Sequence, residues 1–212
     1  MEISHQIKGP GGLSRRRFVL EAGAALATVL GGSALAYAGP IVPADAATLT
    51  DQSIALFLQS VEQAMVSAYG IASQGGKLQT PSVVALIAAY SGHHTAHATA
   101  LAAFSANPNP QPNPGILLAV GDEMREAPDE AHVLSVAFST ENAIAATYLY
   151  AFGVLNGTQA LQTCADIYPI ECAHAAAIGQ ITGRDPDTDP DMVPPFQTTN
   201  DVIAISMYPP AS

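Results

Sequence analysis

The chain has 212 residues, 49% hydrophobic and only 12% charged, which is enough to bury the core of one domain with or without a tail. Its formal net charge is -11, and beyond Ala38 only three basic residues face 16 of the 18 acidic ones. A body this acidic repels nucleic acid and anionic membrane surfaces, which argues against either as a partner.

Residues 1–38 are predicted to be a targeting segment. Residues 14–20, Ser-Arg-Arg-Arg-Phe-Val-Leu, resemble a twin-arginine (Tat) export signal, and A-x-A cleavage sites end at Ala38 and Ala46. A membrane anchor is the weaker alternative, because the apolar run is short and Glu21 interrupts it. The resemblance implies bacterial export of a folded protein to the periplasm or cell envelope, with no stable membrane span after cleavage.

The first helix of the remaining chain is predicted from about Asp51 to Ser73, with Thr50 as N-cap and Gly75-Gly76 as its end. Glu62 falls on its apolar seam. A carboxylate with apolar neighbours must be paired, protonated or bound to a cation. The alternative is that Glu62 lies at the edge of the seam and reaches water.

The second helix is predicted to begin at Thr80-Pro81, with Thr80 as its N-cap, and to end near Phe104. Three histidines, His93, His94 and His97, fall within five residues on an otherwise apolar helix. His93 lies one step off the seam but could pair with His97. Three separate backbone partners for buried imidazoles would be hard to find within one helix, so metal ligation is favoured.

A proline-rich stretch over residues 107–114 cannot be helical and favours an extended path of roughly 25 Å. Together with residues 115–128 it is long enough to cross a helix bundle from end to end. A flexible linker between domains is the alternative, but each side offers only two helices and no self-sufficient core.

The third helix is predicted from about Asp129 to Leu155, with Glu141 in the middle of its seam and a stop at Asn156-Gly157. The fourth begins just past Thr158 and ends near Gly183.

The fourth helix carries Glu171-Cys172-Ala173-His174, which places Glu171 and His174 on one face. Pro169 is expected to bend or bulge it. Cys164 and Cys172 are separated by about 12 Å of helical rise, too far for a disulfide unless the helix breaks at Pro169.

The last segment, residues 184–212, is predicted to be an acidic, proline-rich arm. Residues 184–195 are interpreted as solvated. Residues 196–208 are expected to form a short strand or helix packed on the bundle, or to contact another subunit.

The candidate ligands lie at matching depths in their helices, as in two helical hairpins of one design. Two short loops and one long crossover would bring them to the middle of a four-helix bundle. The six predicted metal ligands are Glu62, His94, His97, Glu141, Glu171 and His174.

This pattern resembles the ferritin-like superfamily, which places one Glu on each of two helices and a Glu-x-x-His on each of the other two, around two metal ions. The resemblance covers residues 50–182, within a predicted domain of residues 39–183. It is closest to exported bacterial ferritin-like proteins that form no cage. It implies an all-α, ferritin-like four-helix bundle with one long crossover between helices two and three. The oligomeric state stays open between a monomer and a homodimer.

One position departs from that family. His94 stands where the resemblance expects the bridging Glu of helix two, and an imidazole donates through one nitrogen to one ion, so His94 is not expected to take over that bridge. Glu171 alone would then bridge two ions, or the site holds a single ion, or it has lost redox chemistry. The resemblance favours iron or manganese, dinuclear or mononuclear, whereas the added nitrogen donor also suits zinc or copper.

Two functions remain open. The first is a metal-dependent oxidoreductase that reacts with oxygen or peroxide. Tyrosines near the ligands would then either relay electrons or pack the core: Tyr69, Tyr90, Tyr148 and Tyr168. The second is a non-catalytic metal-binding or structural bundle of the cell envelope. The chain carries no G-x-S-x-G hydrolase motif and no phosphate-binding loop.

Overall fold

The computed structural model describes residues 49–189, 191–192 and 202–211, so the predicted export signal lies outside the described residues. The regular secondary structure of the described residues is entirely helical. The long helices are α1 (Asp51–Gln74), α2 (Pro81–Leu101), α4 (Glu130–Val154) and α5 (Thr158–Ile181). The crossover helix α3 joins an α-helical turn (Pro114–Ile116), a π-helical stretch (Leu117–Gly121) and a second α-helical stretch (Asp122–Glu126).

The four long helices form two hairpins, α1 with α2 and α4 with α5. One long crossover, residues 102–129, connects the hairpins. The predicted all-α four-helix bundle with one long crossover between helices two and three is therefore confirmed. Helix α5 continues past Pro169 without interruption. Both cysteines are free, as their separation predicted.

The helix ends show which caps are local and which are tertiary. At the start of α1, Thr50 and Ser53 form a reciprocal capping box, with each side chain accepting from the other backbone N–H. The side chain of Thr80, in contrast, does not cap α2. Glu130, at the start of α4, accepts from the backbone N–H groups of Gln79 (2.6 Å) and Thr80 (2.8 Å) instead. Thr80 is therefore the N-cap residue of α2, as predicted, but its hydroxyl donates to Glu130 Oε1 of the other hairpin instead of accepting from the helix.

The crossover contains a helix that the sequence reasoning missed. Residues 105–113 are non-helical, but Pro114, the last residue of the stretch predicted to be non-helical, is the first residue of α3. The Oδ1 of the buried Asn113 accepts from the backbone N–H of Ile116, which caps the new helix. Ile116, Val120 and Met124 then turn one apolar face into the core. Their i, i+4 spacing behind an Asn-Pro pair was the signal available in the sequence.

The described C-terminal residues are partly solvated and partly packed on the bundle. Residues 185–188 are exposed, as predicted, whereas Arg184 lies 4.0 Å from the ring centroid of Phe138 and Met192 is buried against Gly179. Residues 202–208 are also packed down, since Asn113 donates to the carbonyl oxygen of Tyr208. They contain neither helix nor strand, so the predicted regular element is wrong for these residues.

Among the described residues, no helix is both long enough and apolar enough to cross a bilayer.

Candidate metal centre

The structure brings all six predicted ligands together in the middle of the bundle. Each of the four long helices contributes at least one of them, because each placed its polar residue half-way along an apolar seam. All six are buried, and the most exposed, His97, has 5% of its surface accessible. Outside metal centres, six ionisable side chains rarely share one dry core.

The six side chains form two overlapping groups, each with ligand atoms within 4.8 Å of one another. His94 and Glu171 belong to both groups. Group A comprises Glu62, His94, His97 and Glu171. Group B comprises His94, Glu141, Glu171 and His174.

In group A the donor atoms face a common point between α1, α2 and α5. Glu62 Oε2 lies 2.6 Å from Nδ1 of His94 and 3.5 Å from Nδ1 of His97. Glu171 Oε1 lies 2.6 Å from the same His97 nitrogen. Two carboxylates and two imidazoles are a donor set that suits a transition-metal ion.

Group B has the same composition on the other side of His94. Glu141 Oε1 lies 3.2 Å from Nε2 of His94. The Nδ1 of His174 lies 3.4 Å from Glu141 Oε2 and also 3.4 Å from Glu171 Oε2. The two oxygens of Glu171 thus face different groups.

Two buried tyrosines donate hydrogen bonds to carboxylates of the cluster. The hydroxyl of Tyr148 donates to Glu62 Oε1 at 2.5 Å, and that of Tyr69 donates to Glu141 Oε1. Burial, helped by the neighbouring carboxylates, raises the pKa of both phenols well above the usual value, so both keep their proton. The sequence analysis placed these tyrosines near the ligands as relays or packing residues, but it did not predict this orienting role.

His93 lies outside both groups and contacts His174 rather than the expected His97. Its Nδ1 is 2.9 Å from Nε2 of His174, and the two rings stack 5.1 Å apart. Burial and the nearby imidazoles lower the pKa of His93, which favours its neutral form. Neutral His93 can accept the Nε2 proton of His174, which leaves Nδ1 of His174 to serve as a ligand atom. The ring of Tyr90 also stacks on that of His174, with the two ring centroids 3.8 Å apart.

Mutual pairing shifts the pKa values of the cluster. Although burial opposes it, the charge and hydrogen bonds of His94 and His97 hold the pKa of Glu62 down to about 2. Burial likewise opposes the charged form of His94, but Glu141, Glu171 and Glu62 raise its pKa well above the usual value. Glu171 differs from Glu62, because burial and the charge of Glu62 raise its pKa.

The unpartnered atoms show whether these residues fit a metal. Both carboxylate oxygens of Glu171 and Nδ1 of His97 are buried without a hydrogen-bond partner. The 2.6 Å approach between Glu171 and His97 is close enough for an ion pair, but its orientation does not suit a hydrogen bond. Orphaned lone pairs that converge in a dry core fit a bound cation. The donor set is therefore suitable for metal.

Two helical hairpins whose carboxylates and imidazoles meet in a dry core define a bundle that could hold metal ions. The family model described as a ferritin-like domain matches residues 44–184, more than half of the chain. The chain therefore belongs to the ferritin-like domain family. No curated protein and no solved structure matches it.

Proposed function

We propose that the protein is an exported ferritin-like metalloprotein that binds one or two transition-metal ions, with iron or manganese favoured, and acts as an oxidoreductase on oxygen or peroxide. The observation that carries this proposal is the pair of buried four-residue groups sharing His94 and Glu171. Shared ligands are what a centre of two neighbouring ions requires.

When bound, such ions supply one-electron redox chemistry that no side chain of the cluster provides. The three carboxylates place negative charge around the ions and favour their oxidised state. Tyr148 orients Glu62 through the oxygen that faces away from the histidines, whereas Tyr69 donates to Glu141 Oε1, the oxygen that also faces His94. The burial of all six ligands keeps bulk water away.

A non-catalytic envelope protein is the second candidate, and one observation favours it. The carboxylates and imidazoles pair with each other, for example Glu62 with His94 at 2.6 Å. Such a network could stabilise the core without metal, provided that its charges balance. Zinc or copper binding without turnover would belong to the same class.

Elemental analysis of the full chain, exported by its own route, tests the proposal. We would compare the wild type with His174→Ala, which removes a predicted ligand. His132→Ala is the matched control, because His132 lies beside Glu123 on the bundle surface, outside both groups.

Close to two equivalents of iron or manganese, lost in His174→Ala and kept in His132→Ala, would support a dinuclear centre and justify oxygen and peroxide assays. One equivalent of zinc or copper would support the non-catalytic alternative. No metal in the wild type, with unchanged stability of His174→Ala, would contradict the ligand assignment.

Export is tested separately by replacing Arg15 and Arg16 with lysine, which preserves the charge but not the twin-arginine pair. We expect the protein to be retained in the cytoplasm, as measured by cell fractionation. Unchanged delivery to the envelope would contradict the proposed route.

A further inference from the structure

The two ring nitrogens of His94 face opposite groups of ligands. Nδ1 lies 2.6 Å from Glu62 Oε2, whereas Nε2 lies 3.2 Å from Glu141 Oε1. The ring is 0% exposed, so water cannot partner either nitrogen from bulk solvent. Each nitrogen is therefore paired with a carboxylate of a different group.

Glu171 shows the same division between the groups. Its Oε1 lies 2.6 Å from Nδ1 of His97 in group A, and its Oε2 lies 3.4 Å from Nδ1 of His174 in group B. Nδ1 of His94 lies 3.8 Å from Glu171 Oε1, on the group A side. One carboxylate and one imidazole therefore span the two groups, each offering one atom to either side.

We infer that His94 is a shared ligand, with Nδ1 bound to an ion in group A and Nε2 to an ion in group B. This inference rests on the proposed metal-binding function and specifies how its two ions are joined. A neutral imidazole has only one free nitrogen lone pair, which is why the sequence analysis excluded His94 as a bridge and left Glu171 as one of its alternatives. As an imidazolate, His94 has a lone pair on each nitrogen.

The proton balance is simple. With a carboxylate beside each nitrogen, His94 starts doubly protonated. The first ion displaces one of these two protons, and its charge makes the remaining N–H more acidic. Binding of the second ion at that nitrogen releases the other proton, as metal ligation does at other protonated ligands. Each nitrogen–metal bond replaces one N–H bond, so two protons pass to the solvent, and no electron is transferred.

Charge also favours this arrangement. The family pattern has four glutamates, which match the charge of two divalent ions. Glu62, Glu141 and Glu171 supply one negative charge fewer, and an imidazolate at His94 restores it. In a core buried from solvent, an unbalanced charge is costly, so this restoration stabilises the two-ion state.

Nuclear magnetic resonance of the full chain tests the inference. The probe is cadmium enriched in a spin-active isotope, bound to protein whose histidines carry the spin-half nitrogen isotope. Scalar coupling to cadmium identifies each metal-bound nitrogen, and coupling to hydrogen identifies each protonated one. His94→Glu, which restores the carboxylate of the family pattern, assigns the His94 resonances by their loss.

We expect two cadmium ions per chain, with both nitrogens of His94 coupled to cadmium and neither bearing a proton. In His94→Glu we expect two ions, with coupling only at His97 and His174. One coupled and one protonated nitrogen on His94, with cadmium bound, would overturn the bridge while leaving metal binding intact. Absence of bound cadmium, iron and manganese would instead remove the proposed function.

Discussion

Replacing Glu171 with glutamine distinguishes a metal ligand from a structural partner. Both oxygens of Glu171 lack a hydrogen-bond partner, and burial and the charge of Glu62 raise its pKa. Above the usual pKa of 4.5, the ionised carboxylate therefore costs the metal-free fold stability. His97 keeps Glu62 as a partner, 3.5 Å away, when Glu171 is changed.

We therefore expect Glu171→Gln to stabilise the metal-free protein by on the order of 1 kcal/mol, the scale of one mismatched buried polar group. For a chain of this size, that raises Tm by roughly 2–4 °C. With metal bound, the wild type should instead have the higher Tm of the two proteins. In the wild type, an ion at about 100 times its Kd contributes ~2.7 kcal/mol, or roughly 5–11 °C in Tm. Most of this gain should vanish in the variant.

The assay is thermal unfolding at neutral pH, with chelator and then with manganese, followed by circular dichroism. Glu126→Gln is the control, since Glu126 is exposed and belongs to neither group; neither of its Tm values should move. A metal-free Glu171→Gln protein that melts several degrees lower would refute the reasoning, because the carboxylate would then be a structural partner. The reasoning would also be refuted if manganese raised the Tm of Glu171→Gln as much as it raises that of the wild type.

Three further expectations concern the cluster and its supports. The metal-free protein should be most stable between pH of about 4.5 and 6.5. The stabilising contribution of Glu62 is lost as pH falls from 4.5 toward its pKa of about 2. The contributions of His97 and His174 are lost as pH rises from 6.5 through their pKa of about 9. Thermal melts across pH measure this. Tyr148→Phe should weaken metal binding by roughly 10–100-fold in competition titrations, because Glu62 Oε1 loses its donor. Gly179→Ala should cost about 1–3 kcal/mol in denaturant unfolding, because the new Cβ overlaps a buried methionine of the C-terminal segment.

Each of these has a control and a contrary result. A metal-free Tm that rises steadily from pH 6.5 to 9 would contradict the assigned pairing. Tyr150→Phe removes a phenol that faces no ligand carboxylate in the described hydrogen bonds, so an equal affinity loss there would point to a general packing effect. Gly70→Ala, where an added Cβ meets nothing within 4 Å, should stabilise its helix by about 0.5–1 kcal/mol. A Gly179→Ala protein as stable as that control would show that the arm does not pack there.

The long helices and the depth of the candidate ligands were readable from the sequence, because both depend on local periodicity. Apolar residues three and four apart mark a buried face, and a polar residue on that face must have a buried partner. Glu62 and Glu141 stood out for this reason. The Pro-rich crossover was equally clear, since prolines exclude helix wherever they cluster.

Tertiary structure decided the contacts between residues distant in the chain. Glu130, from the other hairpin, binds the hydroxyl of Thr80, so that this side chain does not cap α2. Tyr69 and Tyr148 reach carboxylates on other helices. Likewise, the sequence places His94 at the right depth, but only packing orients its two nitrogens toward different carboxylates. Helical periodicity sets which face of its helix a residue lies on, whereas the distances between donor atoms depend on how the four helices rotate against one another. That rotation is a property of the assembled core, and it is what turns six separate polar residues into one centre.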